Sequence, residues 1–121
     1  EGDCTQFVRL RQYPAEDRPR MVEDTLAPEG WRPGLVEGLR VRPVYSQQGY
    51  PENVALVRWA PGTRFQGHTH WGGEEILVLE GEFCDEHGRY PEGTWIRSPH
   101  MSRHTPFSET GCLIYVRVGG L

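Results

Sequence analysis

No stretch of this 121-residue chain repeats its apolar residues with a helical period over ten or more positions. Short apolar runs recur instead, each closed by a turn signal. Asn53 to Trp59 is stopped by Pro61-Gly62, and Glu74 to Glu80 is the most apolar run. Val36, Leu39, Val41, Val44 and Tyr45 suggest a strand before them, and Thr63 to Thr69 one between them. Phe83 to Tyr90 carries Asp85-Glu86-His87-Gly88, a hairpin turn by composition, and Pro91-Glu92-Gly93 is a second turn. Thr94 to Arg97, Arg103 to Phe107 and Cys112 to Val118 complete the set. The 15 Gly and 10 Pro are spread singly, which is punctuation of short strands and not a disordered tract. The pattern predicts an all-β sandwich or barrel in one domain. Residues 1–34 are polar and Pro-rich and read as an irregular arm or edge strand, with Phe7-Val8-Arg9-Leu10 as one short strand. Residues 35–121 form the barrel.

Several classes fall away. The longest apolar run, Ile76 to Leu79, is strand-sized, so no transmembrane helix is expected. Glu1-Gly2-Asp3-Cys4 has neither a basic nor an apolar region, so no signal peptide is expected. The net charge is -4 without a basic block, which argues against nucleic acid or an anionic membrane as partner. All 13 basic residues are Arg, so chemistry that needs a lysine amine is excluded. Cys4, Cys84 and Cys112 are an odd count without a Cys-x-x-Cys pair, hence no disulfide framework and no thiolate zinc site. A reducing, cytoplasmic compartment is the expectation.

The chemistry concentrates in four residues. His68 and His70 are two apart, and on a strand such side chains share a face. Trp71-Gly72-Gly73 reads as a tight loop that returns the chain to Glu74 on an antiparallel neighbour. Ile76 and Val78 share the parity of Glu74, so the carboxylate stands at the rim of an apolar interior. His104 is placed to come from a facing strand. Three imidazoles and one carboxylate suit a divalent metal ion.

Gly62, five residues, His68, one residue, His70, three residues, Glu74, six residues, Gly81 matches the first motif of the cupins at every position. Pro91-Glu92-Gly93 stands for Pro-x-Gly of the second motif, and His104 follows later than usual. With His104-Thr105-Pro106-Phe107-Ser108 and Gly111-Cys112, the chain from about Trp31 to Val118 resembles the ChrR-like cupins. The resemblance implies a double-stranded β-helix, a jelly-roll-like barrel. It implies a metal held by His68, His70, Glu74 and His104, and a homodimer made by adding an N-terminal strand to a partner's sheet. Pro99-His100-Met101-Ser102-Arg103 departs from the Pro-Gly-containing turn usual before the last ligand. The family's namesake is a zinc-carrying anti-sigma factor with a separate helical sigma-binding domain. Residues 1–34 lack that domain's ligands and pattern, so the resemblance covers the sensor-type domain alone.

Metal identity separates two readings. Four protein ligands close a tetrahedral zinc shell, which fits a structural or sensing site. Iron, manganese or nickel would keep two positions open for oxygen or a chelating small molecule, which fits a dioxygenase. No separate nucleophile or base stands at a recognisable spacing, which favours sensing or binding. Phe65, Trp71, Ile76, Val78, Trp95, Arg97, Met101 and Phe107 are the candidates for lining a ligand pocket. Arg117, like Arg97, would hold an anion only if it faced inward. Glu75 points away from Glu74, His87 sits in a turn, and His100 reads as an exposed loop residue or else as a contact to ligand or metal-bound residues at the pocket mouth. Cys84 and Cys112 read as buried, inert thiols.

Overall fold

The computed structural model describes residues 2–10 and 20–119, with the backbone alone of His68. Among these residues there are eleven strands and no helix. They are β1 (Arg32–Pro33), β2 (Leu39–Ser46), β3 (Asn53–Trp59), β4 (Thr63–Arg64), β5 (His68–His70), β6 (Glu74–Asp85), β7 (Gly88–Pro91), β8 (Trp95–Ser98), β9 (Ser102–His104), β10 (Phe107–Ser108) and β11 (Cys112–Val118). Every pairing is antiparallel.

Nine strands hydrogen-bond in one sheet, in the order β1-β2-β3-β11-β6-β10-β4, with β7 and β8 also on β6. β5 and β9 pair separately. β6 is the axis of the fold. Its first part lies between β11 and β8, and its last part between β7 and β10. The expectation of separate strands at 74–80 and 83–90 is corrected here: the first continues through Gly81 to Asp85 before turning. Gly81 permits this because it holds φ at 75°, and a Cβ there would collide with the Gly111 carbonyl. The expected strand at 63–69 divides into β4 and β5, which belong to different sheets.

The β11–β6 register shifts between Leu113 and Ile114, which oppose Glu80 and Val78. β6 therefore carries one extra residue, a bulge that reverses its alternation. Before it, Ile76 and Val78 face the core; after it, Phe83 does. Leu39, Trp59, Cys112 and Ile114 complete that core. Each large apolar side chain so buried contributes about 1.5–3 kcal/mol.

The opposite sheet face is also covered. Leu56 and Leu113 are buried on it, and Phe7 packs on Tyr115 with ring centroids 5.3 Å apart. Residues 7–10 form no strand, contrary to expectation. Side-chain contacts, not a backbone ladder, hold this segment. Arg9 Nη1 lies 3.2 Å from Glu75 Oε2. Glu75 sits in register between Arg97 of β8 and Arg117 of β11. Arg117 is buried and stands 3.8 Å from Glu52. Both arginines thus belong to the face away from the core.

Candidate metal centre

The β5–β9 ribbon sets His68 directly across from His104 and His70 across from Ser102. The tight loop after β5 is closed by a Gly73 N–H bond to the His70 carbonyl, 3.3 Å. It delivers Glu74 to the start of β6. The Met101 N–H donates to the same His70 carbonyl at 2.8 Å, which ties the β8–β9 turn to β5. Met101 holds φ at 67°, the region glycine prefers. The departure from a Pro-Gly turn is therefore accommodated by a methionine in left-handed backbone.

His70, Glu74 and His104 converge, all three buried. His70 Nε2 and His104 Nε2 are 2.9 Å apart, and each lies 3.2 Å from Glu74 Oε1. Donors bound at about 2.1 Å to one metal stand roughly 3.0 Å apart at a right angle and roughly 3.4 Å apart at the tetrahedral angle. The three separations fall close to that range, on one triangular face. Glu74 Oε1 is buried with two imidazole nitrogens 3.2 Å away each, and a buried carboxylate oxygen in such surroundings is stabilised by a cation. These residues fit a divalent ion. The side chain of His68 lies outside the described residues, so its share in the site rests on its backbone position opposite His104.

Behind His104 stands Asp85, a residue that composition assigned to a turn. Its Oδ2 is 3.3 Å from His104 Nδ1. Its Oδ1 accepts from the Tyr90 hydroxyl at 3.0 Å and from the His87 N–H at 2.8 Å. Burial alone would lower the His104 pKa, but the carboxylates of Glu74 and Asp85 outweigh it and hold that pKa above the ordinary imidazole value. Burial and the Asp85 contact push the Tyr90 phenol up to about 12, so it remains a donor.

Glu74 and His104 also wall an apolar cavity of about 160 Å³, with Phe65, Ile76, Phe83 and Trp59 among its other residues. Of the pocket candidates named from sequence, Phe65 and Ile76 stand in this wall. Val78 is packed in the core. Trp71 is 76% exposed, Met101 51% and Trp95 50%, so their side chains face solvent. Arg97 is exposed opposite Glu75, and Phe107 lies under the Arg64 guanidinium at 4.6 Å. His100 is exposed, accepts from the Gly72 N–H at 2.8 Å and meets the Trp71 ring edge-on at 4.8 Å. His87 is exposed in its turn. Trp59 and Phe83 were missed as wall residues; Phe83 stands on the face that the bulge exchanged.

No functionally curated protein matches the chain at a significant level. Among solved structures, the fold is shared with an RmlC-like cupin from Ralstonia eutropha, at TM-score 0.68 and 18% identity over 74% of this chain and 62% of that one. It is shared with an acetylacetone dioxygenase from Acinetobacter johnsonii, at TM-score 0.74 and 14% identity over 88% and 78%. A chain in the crystal structure of Rhodobacter sphaeroides SigE with the anti-sigma ChrR gives TM-score 0.64 and 29% identity over 73% of this chain and 48% of that one. This chain thus spans about half the length of that relative. The sequence itself matches the ChrR cupin-like domain family over residues 20–121, the stretch that holds all eleven strands and the buried His-Glu-His cluster. The cupin architecture and that match agree, and the chain belongs to the ChrR cupin-like domain family.

Proposed function

We propose that this domain binds one divalent ion through His68, His70, Glu74 and His104 and acts as a sensing or small-molecule-binding module. The convergence of the His70, Glu74 and His104 donor atoms in one buried cluster supports this reading most strongly. His68 joins the set because its backbone lies across from His104, two residues before His70 on β5. Zinc in a closed shell of four protein ligands serves sensing, because the ion is retained until a ligand is lost. Glu74 supplies the one negative charge, and the apolar residues around it keep water from competing.

A second reading, a metal-dependent dioxygenase, is favoured by one observation: the cavity of about 160 Å³ opens on Glu74 and His104. Iron, manganese or nickel with open positions would supply the oxygen chemistry there. Phe65, Ile76 and Phe83 would then hold a small, largely apolar molecule against the centre.

Protein recovered from unsupplemented cells without an affinity tag separates the two. Zinc that is released by oxidant supports sensing. Iron that binds nitric oxide under anaerobic conditions, with oxygen consumed alongside a chelating small molecule, would overturn it.

The proposal extends to assembly and place. Residues 1–34 act as an arm and edge strand on the barrel of 35–121, which β1 joins by pairing with β2. A homodimer would cover the short edge strand β1 and the exposed Leu10, Val22, Leu26 and Leu35. The three cysteines stand free, which suits the cytoplasm.

A further inference from the structure

We propose that Asp85 is a positioning residue for the metal centre, holding the His104 ring so that Nδ1 carries the proton and Nε2 presents its lone pair to the ion. The proposal rests on the reading of His104 as a ligand.

Asp85 is a buried carboxylate, able only to accept. Its Oδ1 already takes two donors, the Tyr90 hydroxyl and the His87 N–H. Its Oδ2 faces His104 Nδ1. That contact is favourable only when Nδ1 bears hydrogen. A neutral imidazole protonated at Nδ1 has its lone pair on Nε2, the atom that faces Glu74 Oε1 and His70 Nε2. A carboxylate that fixes the tautomer of a ligating histidine also raises its basicity toward the metal.

The same turn grips the next residue. Both carboxylate oxygens of Glu86 accept from the Thr105 N–H, at 3.0 and 2.9 Å. Asp85 and Glu86, consecutive at the β6–β7 turn, therefore hold His104 and Thr105, consecutive at the end of β9. The three groups Asp85, Glu86 and His104 lie close enough to suggest a second ion site. Their oxygens are already occupied by Tyr90, His87 and Thr105, and Glu86 is exposed, so this cluster is a clamp for the first site.

The accounting of donors makes a discriminating test. In Asp85→Asn, the amide oxygen stays with Tyr90 and the His87 N–H. The amide nitrogen then faces His104 Nδ1 and can only donate. That forces the proton onto Nε2, where the ion must bind. A substitution nearly identical in shape should thus damage zinc binding more than Asp85→Ala, which removes the partner without inverting the ring. A merely structural role predicts the reverse order.

Zinc affinity of the full chain is measured by chelator competition, and melting of the metal-free protein is recorded alongside. The expected result is a zinc Kd weakened about 10–100-fold in D85N, a smaller loss in D85A, and a metal-free melting point in D85N close to that of the unaltered chain. Zinc bound by D85N as tightly as by the unaltered chain, or more tightly than by D85A, would overturn the proposal alone. Long-range 1H–15N NMR of the unaltered zinc-loaded chain tests it without any variant. It should show His104 protonated at Nδ1 and ligating through Nε2. Ligation through Nδ1 would overturn the proposal. An unaltered chain that takes up no stoichiometric zinc would overturn it together with the zinc reading of the centre.

Discussion

Arg9 lies 66 residues from Glu75 in sequence, and its guanidinium meets that buried carboxylate at 3.2 Å. One contact joins the arm to the strand that carries Glu74. Its charges are unequally placed: Arg9 is 27% exposed at its side chain and Glu75 6%. Removing Arg9 leaves Glu75 with its cross-strand arginines but without its closest cation. Arg9→Ala should lower stability by about 1–2 kcal/mol, between the value of an exposed pair and that of a buried one. Glu75→Gln in the same background should restore part of that loss. Urea unfolding of both variants checks it; an unchanged midpoint for Arg9→Ala would show that the arm contributes nothing through this pair.

Met101 gives a second prediction. Its backbone holds φ at 67° and its side chain is half exposed, so little packing offsets the conformational cost. A non-glycine residue in that region costs roughly 1–2 kcal/mol, and glycine gives part of that back through its freer unfolded chain. Met101→Gly should therefore stabilise the fold by up to about 1 kcal/mol. Thermal melting reads this directly, and a lower melting point would contradict the strain.

The alternation that places Glu74, Ile76 and Val78 on one face was readable from period-two spacing alone. So was the approach of His70 to that rim, because a short strand and a glycine loop return the chain directly to Glu74. Asp85 was not readable. Counted in steps of two, it shares the parity of Glu75 and points away from the centre. The extra residue in β6 reverses that parity, and a bulge leaves no signature in apolar spacing. Its partner His104 is 19 residues away and arrives through a different sheet. Gly81 is a related case: the apolar run ends just before it, yet the strand bends there and continues. The solvent-facing positions of Trp71 and Trp95 likewise depend on loop and edge geometry, which residue type does not encode.

Thiols and phenols define the alkaline limit. Burial pushes the Cys112 thiol up to about 11 from an ordinary 9.0, and burial with the Asp85 contact pushes the Tyr90 phenol up to about 12 from 10.0. Burial also raises Cys84. Each is an acid whose folded pKa exceeds its unfolded one. Between the two values the folded protein keeps a proton that the unfolded chain has released. Stability from these groups is intact below pH 9 and falls as pH rises from about 9 to about 12. Urea midpoints at pH 8, 9.5 and 11 should decline in that order, with the early part of the decline reduced in Cys112→Ala. At neutral pH iodoacetamide should modify exposed Cys4 and spare Cys84 and Cys112 until the chain is unfolded.

The proposed centre holds one ion between the histidines and Glu74. The most direct measurement is metal content per chain, by elemental analysis, for untagged protein and for His70→Ala after dialysis against a weak chelator. His70 provides one corner of the donor triangle, 2.9 Å from His104 Nε2 and 3.2 Å from Glu74 Oε1. The prediction is one divalent ion per unaltered chain and none retained by His70→Ala. One tightly bound ion per chain in His70→Ala, or none in the unaltered protein, would contradict it.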